Sequence, residues 1–581
     1  METLKKGKKY AIHSLCYLLI ILVFIAPIVR LFLMSLKSEE GYSLWNYALL
    51  LQEDRTRKAI LNTIVIAVGS TAIAAILGSA FAFIIAYTNV RRKRLLELLV
   101  LLPFIIPSYI ITLSWSSLFS QKGMINQTLS AMGLGKINVY SIAGIILVLG
   151  FCNVPIVYMN VIHMLRKIPT DMEWAARTCG YGIGQAMLKI NLVQAMPAII
   201  SGSILAFLAA VDNFAVPAFL GISSGIPVLS TYIYEKSISF GPNSFSLAAT
   251  LSVILSVIAV AGTLVEGIFG KKSSGMESIK EDYSVRIPLS SGKRKVLQYG
   301  VILFLCIINI VPLISMFTSA FQKNYGVKMT LDQFTTDNFT AIFQNKGVLD
   351  AIRNSLMLAC GCCIICIVIG TAIAYQKVRH PGRMITLVEK SASLTYAIPG
   401  IVLALSMIFH WVEPLPGIRP GIYGTISILM IAYVTRYLIL QIKGSATAML
   451  SIHPALEEAA AASGRSVFAV WGKILIPLLI RPVLSSTFMI FVSALTELTL
   501  SSMLAAAGTK TIGLMIFNFQ QAGDYNLAAA MSVVIVVLVL TGYFLINHKN
   551  SEYKKVEERV YESFNRKCNQ KVQSNISIGS Y

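Results

Sequence analysis

Leu456 to Pro482 reads LEEAAAASGRSVFAVWGKILIPLLIRP. It is a soluble-looking island in an otherwise apolar chain. Its Ala-rich start carries a pair of carboxylates and is good helix-forming sequence. Gly464 interrupts that run, and a second helical stretch, Ser466 to Ile474, precedes Pro477. Glycine enters turns that are costly for any residue with a Cβ, so two short helices meeting at an angle are predicted. The island recurs earlier. Met172 to Pro197 reads MEWAARTCGYGIGQAMLKINLVQAMP, and its Ala175, Ala176, Gly180 and Ile190 stand 284 positions before Ala459, Ala460, Gly464 and Ile474. The chain is organised around two copies of this island, each in the middle of one half.

Around the islands the chain is greasy. Of 581 residues, 56% are hydrophobic and 13% charged, which is the composition of a polytopic membrane protein. Apolar runs of about 20 residues recur, long enough for a helix to cross a hydrocarbon core. In lipid such a run must be helical, because its backbone finds no water. About twelve such spans are read. The formal charge of +22 sits in short loops between them, where the positive-inside rule accounts for it without nucleic acid. Most of the nine cysteines lie within apolar runs, so no disulfide framework is implied. The run Leu15 to Met34 lacks a small-residue cleavage site and reads as a signal anchor.

The basic clusters set the topology. Lys5-Lys6-Gly7-Lys8-Lys9 places the N-terminus in the cytoplasm, and Arg91 to Arg94, then Lys377, Arg379 and Arg383, mark later inside loops. Pro103 and Pro107 in the third span, and Pro399 in the ninth, predict kinks or breaks. Leu61-Asn62-Thr63 resembles Arg353-Asn354-Ser355, and Ile106-Pro107-Ser108 resembles Ile398-Pro399-Gly400, both at a separation of 292. The expected fold is therefore an all-α membrane protein with about twelve transmembrane helices, in two tandem six-helix halves forming a parallel pseudo-dimer. Residues 1–270 form the first half, with its island at 167–197, and 271–295 a cytoplasmic linker. Residues 296–548 form the second half, with its island at 450–482, and 549–581 a cytoplasmic tail.

An inside loop reading E-A-A, three residues, G, nine residues, I, one residue, L-P resembles the signature of the membrane subunits of bacterial ABC importers. The second copy supplies Glu458, Ala459, Ala460, Gly464, Ile474 and Pro477, with Ile476 in place of Leu. In the first, Ala175, Ala176 and Gly180 match, Trp174 replaces the Glu beside Glu173, and Val193 replaces the Pro. The resemblance covers both halves. It implies a coupling helix in each island, docking on one of two copies of a cytoplasmic ABC ATPase, and an extracytoplasmic binding protein that delivers substrate. It also implies a multi-pass protein of the bacterial inner membrane with both termini cytoplasmic. The weaker first copy predicts weaker coupling through the first half.

No G-x-x-x-x-G-K-[ST] phosphate loop occurs; Gly270-Lys271-Lys272-Ser273 lacks the upstream glycine. No cofactor is expected on this chain, ATP and Mg belonging to the partner ATPase, and no catalytic or metal-ligating set is read. Cys360, Cys362, Cys363 and Cys366 scatter over more than one helical face. Within the spans, Asp212 lies 32 residues after Gly180 and Glu497 33 after Gly464, which reads as equivalent places. Intramembrane charges are candidates for a substrate pathway. With Asn213, Thr496 and Thr499 they would suit a cationic substrate; alternatively each carboxylate caps a broken helix or pairs with a neighbour.

Among importers the likeness is strongest to iron(III) permeases, through Leu102-Pro103, Ile106-Pro107-Ser108-Tyr109, Trp115, Asp212-Asn213-Phe214, Pro217 to Gly221 and Thr231 to Tyr234. Thiamine, polyamine and 2-aminoethylphosphonate permeases share the architecture. An ion-coupled secondary transporter would also have repeats and buried carboxylates, but it has no use for paired islands. A membrane enzyme would need a catalytic cluster, which the sequence does not offer.

Overall fold

Backbone groups that meet no water must bond within their own helix, and the computed structural model is correspondingly helical. It describes residues 22–544 together with 17 and 20, except 39–40, 121–122, 240, 242, 270–280, 328–329, 415–416 and 418. The basic cluster at 5–9, positions 15, 16, 18, 19 and 21 of the signal anchor, residues 271–280 of the linker and the tail from 549 lie outside the described residues. Residues 22–533 belong to one compact unit, in which all contacts below lie; a second unit begins at Val534, within the last helix.

In the first half, α1 is Leu22–Leu36 and α2 Asp54–Tyr87. A bent pair follows, α3 Lys93–Ile105 and α4 Ser108–Phe119, and then α5 Ile142–Lys167. The first island holds α6, Thr170–Thr178, and the start of α7, Ile183–Asp212. Short helices α8, Ala215–Leu220, and α9, Leu229–Ile238, precede α10, Ser244–Phe269. The second half repeats the order. It has α11 Ser291–Ala320, α12 Lys346–Arg379, the bent pair α13 Arg383–Ala397 and α14 Gly400–Val412, and α15 Ile426–Leu450. Then come α16 Ala455–Ala462, α17 Val467–Leu495, the short α18 Thr499–Leu504 and α19 Ile512–Ala522, and α20 Tyr525–Phe544.

Among the described residues nine of these helices are long and apolar enough to cross a membrane, or up to twelve spans if each of three bent pairs is one; that upper number includes the pair α8 and α9 and leaves out the shorter α1. The breaks fall where proline dictates. Pro107 and Pro399 offer no N–H, and the residues before them, Ile106 and Ile398, are extended (φ −91°, ψ 131°; φ −77°, ψ 136°). The chain turns there by 99° and 113°. Pro103 stays inside α3 without a break. The pair α8 and α9, bent by 72°, is a feature that the span count left unassigned between spans five and six.

Small residues hold the spans together. Along α2 a stripe of small residues, Ala59, Thr63, Ala67, Ser70, Ala74 and Gly78, is buried, and a Cβ on Gly78 would lie 2.9 Å from the Val154 carbonyl oxygen of α5. At Gly370 on α12 a Cβ would lie 2.9 Å from the Gln441 side chain and 3.4 Å from the Ile442 backbone nitrogen of α15. In lipid, close backbone approach of this kind replaces the hydrophobic drive as the source of helix association. The halves are interlocked as well. α11 packs on α4 of the first half, where Ser117 Oγ stands 3.2 Å from Ser315 Oγ and 2.8 Å from Ser319 Oγ. α1 in turn lines a cleft with His410 and Pro414 of the second half.

Candidate functional site

Each island begins as the sequence predicts and ends differently. A short helix stops at a glycine in the left-handed region, Gly180 at φ +89° and Gly464 at φ +73°. The second helix is not separate. It runs on as α7 or α17, joined by a π-helical turn at Met187–Asn191 and at Trp471–Leu475. Within these turns Leu192 N–H donates to the Met187 carbonyl and Ile476 N–H to the Trp471 carbonyl, five residues back. Pro477 therefore does not end the run: the Lys473 carbonyl, which its ring would meet in a regular helix, lies in the widened turn. Val193 takes the same place without proline, so the turn belongs to the fold and not to the proline.

Ala176 and Ala460 are buried while Ala175 and Ala459 are exposed, so one alanine of each pair seats the loop. Ala460 shares a buried apolar cluster with Met449 at the end of α15, Ile452 just beyond it, and Val470, Leu475 and Leu479 of α17. Glu458 is exposed, as is Trp174 at the matching position, which is 57% exposed and stacks under Arg177. The residue before each is turned inward. Glu457 accepts from Arg379 Nε at 2.6 Å and from Tyr375 Oη at 3.0 Å. Glu173, its counterpart 284 positions earlier, is ion-paired with Arg286 and accepts from Asn191 Nδ2 at 2.6 Å. Pro477 is exposed.

The pathway candidates meet in one cavity of about 370 Å³ between the halves, at the bends of α3–α4 and α13–α14. Asp212, Asn213, Thr496, Glu497 and Thr499 all line it, together with Arg436. Asp212 ends α7 and reaches across to the second half. Its Oδ1 accepts from Gly400 N–H, the first residue of α14, at 2.6 Å, and its other oxygen is ion-paired with Arg436 of α15. Arg436 also donates to the Ile398 carbonyl at 2.6 Å. Glu497 stays within its own half, accepting from Leu500 N–H at 2.9 Å and from Tyr437 Oη.

This corrects the equivalence expected for the two carboxylates. At the island separation of 284 the counterpart of Glu497 is Asn213, and the geometry agrees. Asn213 Oδ1 accepts from Val216 N–H at 2.9 Å, the same cap three residues ahead that Glu497 provides. Asp212 corresponds to Thr496, whose hydroxyl only donates back to Val492 O at 2.8 Å. The four cysteines of α12 spread as expected: Cys362 and Cys366 lie 3.8 Å apart, Cys363 points to the Thr487 carbonyl and Cys360 is exposed.

Sequence reasoning passed over Glu457, Arg379, Arg286 and Arg436. Two had a signal. Glu457 falls opposite Glu173 at the constant separation, and Arg436 is a charge in mid-span. Arg379 was read only as an inside marker, and nothing local connects Arg286 to a loop more than a hundred residues away.

Comparison with known proteins is consistent with the repeat. Among similar proteins, the ferric transport system permease protein FbpB of Actinobacillus pleuropneumoniae is 24% identical over 547 residues, covering 92% of this chain and 77% of the relative. The Fe(3+)-transport system permease protein FbpB 2 of Haemophilus influenzae is 22% identical, covering 91% of this chain and 97% of the relative. The molybdenum transport system permease protein ModB of Mycobacterium tuberculosis is 27% identical over 38% of this chain and 82% of its own length. The binding-protein-dependent transport system inner membrane component family matches residues 75–275 and again 353–549, and this multi-pass chain, with both copies fused in one polypeptide, belongs to that family.

Proposed function

We propose that the chain forms the translocation pathway of an ATP-driven importer for iron(III), received from an extracytoplasmic binding protein. The observation that carries this reading is coverage. The relatives named for ferric iron run with 87% to 92% of this chain, across both halves. The relatives named for molybdenum and 2-aminoethylphosphonate match 38% and 35% of it. The cavity suits such a cargo: its charged lining residues are two carboxylates, Asp212 and Glu497, which offer oxygen donors, and one guanidinium, Arg436. Iron(III) is a hard cation that prefers oxygen over sulfur or nitrogen.

In this reading the two island helices dock on two copies of a cytoplasmic ATPase, which holds ATP and Mg. Each island continues unbroken into α7 or α17, so closure of the ATPase pair levers the lower ends of the two helices whose far ends carry Asp212 and Glu497. The Asp212–Arg436 pair ties the halves together at the cavity, and a rocking of one half against the other would part it. The membrane is the bacterial inner one and both termini are cytoplasmic.

The test is uptake of radioactive iron(III) into vesicles holding the chain with its ATPase and binding protein. Iron uptake that needs ATP and is not displaced by molybdate, thiamine, a polyamine or 2-aminoethylphosphonate is the expected result. Transport of one of those in its place overturns the iron reading; uptake driven by an ion gradient without any ATPase overturns the importer reading.

A further inference from the structure

We propose that the segment joining the two halves supplies the first coupling loop with its anchoring arginine, making Arg286 a positioning residue for transport. The inference rests on the reading of both loops as ATPase docks.

In the second half the anchor is local. Arg379, at the end of α12, grips the loop by two acceptors, Glu457 Oε1 at 2.6 Å and the Ile452 carbonyl at 2.8 Å. The first half has no such arginine, because Tyr87 stands where the 292-residue repeat puts Arg379. Arg286 takes over. Its guanidinium lies 4.5 Å over the Tyr87 ring and bonds the Glu173 carboxylate and the Ile168 carbonyl. Glu173 and Ile168 are the counterparts of Glu457 and Ile452, each at a separation of 284. The same pair of acceptors is thus held by the same fork, from a different part of the chain. The substitution is deeper than the original: the Arg286 side chain is 0% exposed, against 11% for Arg379.

The segment is fixed along its length. Asp282 N–H donates to the Arg166 carbonyl at 2.6 Å, and Arg286 and Ile287 N–H both donate to the Tyr87 carbonyl at 2.9 Å. Asn89 and Leu289 exchange a pair of hydrogen bonds at 3.0 and 3.1 Å. Asp282 also accepts from Thr170, at the start of α6; burial raises its carboxyl, but the bonds from Thr170 and Ser284 and the charge of Arg286 outweigh that and hold it below its ordinary value. Two residues after Leu289 the chain enters α11, so displacement of the first loop pulls on the first helix of the second half. The second loop has no such tie through Arg379, which is part of its own half.

Hydrogen exchange of the whole detergent-solubilised chain tests this without any partner. Arg286→Ala should speed exchange at 170–182 by roughly tenfold or more and leave 455–466 unchanged, while Arg379→Ala does the reverse. Tyr87→Arg added to Arg286→Ala places a guanidinium where the second half has one, and should restore both protection and ATP-driven uptake. If Arg286→Ala is not recovered from membranes, Arg286→Lys serves. It keeps the charge but not the planar fork, and should loosen the loop partly. Unchanged exchange at 170–182, or a loosened loop with full uptake, overturns the proposal. Failure of the docking reading shows differently, as no ATPase captured by the unaltered chain.

Discussion

The two island loops are built to one plan from unequal parts. In both, a short helix ends at a left-handed glycine, one alanine is buried, and a π-turn leads into a long helix. In both, an inward carboxylate and a backbone carbonyl are gripped by an arginine. Yet the first loop has Trp174 for Glu458, Val193 for Pro477, and an arginine from the joining segment. The motif letters lost in the first copy are Glu458 and Pro477, both exposed in the second. What persists is the buried framework, one position removed from the letter that the motif emphasises. Matching by letters therefore understates the first loop, and the expectation that it couples weakly no longer follows.

The largest effect should come from the inward carboxylates. Glu173→Gln removes the nearer counter-charge of a fully buried guanidinium and leaves it Asp282 at 3.3 Å; breaking a comparable buried pair costs about 3–5 kcal/mol, and Asp282 should keep the loss toward the lower end. Glu457→Gln should cost less, about 1–3 kcal/mol, since Arg379 keeps the Ile452 carbonyl and some solvent. Limited proteolysis of the first and second loops in membranes measures both. A second-half variant more labile than the first would break the ordering. The glycines come next and should behave alike. Alanine at Gly180 or Gly464 meets no atom within 4 Å, so only the left-handed backbone resists it, at about 1–2 kcal/mol. ATP-driven uptake should fall equally in Gly180→Ala and Gly464→Ala; uptake lost from the second alone would reinstate the asymmetry.

How far the sequence reaches can be judged from particular residues. The spans, the breaks at Pro107 and Pro399 and the glycine turns were legible, because each rests on local chemistry: apolar length, a missing N–H, a missing Cβ. The continuity of α7 and α17 was not, because Pro477 normally ends a run and a π-turn has no sequence mark. The pairing of Asp212 with Glu497 failed by one residue, a slip that only the capping bonds of Asn213 and Glu497 expose. Arg286 was illegible because its partners are distant in sequence and its own surroundings read as linker.

The same comparison can be sharpened at the cavity, where the halves differ in charge. Arg436 has Cys152 as its counterpart 284 positions earlier, and Asp212 has Thr496. The cross-half pair is thus a departure from symmetry that required both changes. Asp212→Asn alone leaves Arg436 at the cavity with the Ile398 carbonyl and the Tyr396 ring but without an ion-pair partner of full charge. Because Asp212 is 36% exposed, the coupling measured by a double-mutant cycle with Arg436→Cys should be modest, about 1 kcal/mol. Iron uptake should nonetheless suffer more in the single variant than in the double one. A cycle with no coupling would mean that the pair does not tie the halves.

The smallest effects on stability, and the most direct test of what each loop presents outward, lie at two exposed aromatics. Trp174 is 57% exposed on the first loop and Phe468 90% exposed on the second, and they are not at equivalent positions, Phe468 standing opposite Gly184. Neither supports the fold from such a place, so Trp174→Ser and Phe468→Ser should each change thermal stability by no more than about 0.5 kcal/mol. An exposed aromatic gains its energy only when a partner covers it, and aromatic anchors typically dominate such contacts. Capture of the ATPase should therefore weaken in both variants, through different halves, and the double variant should lose both copies. Equal capture by all three proteins would show that the loops dock through their backbone and small residues alone, and that the difference between the two faces is without consequence for the partner.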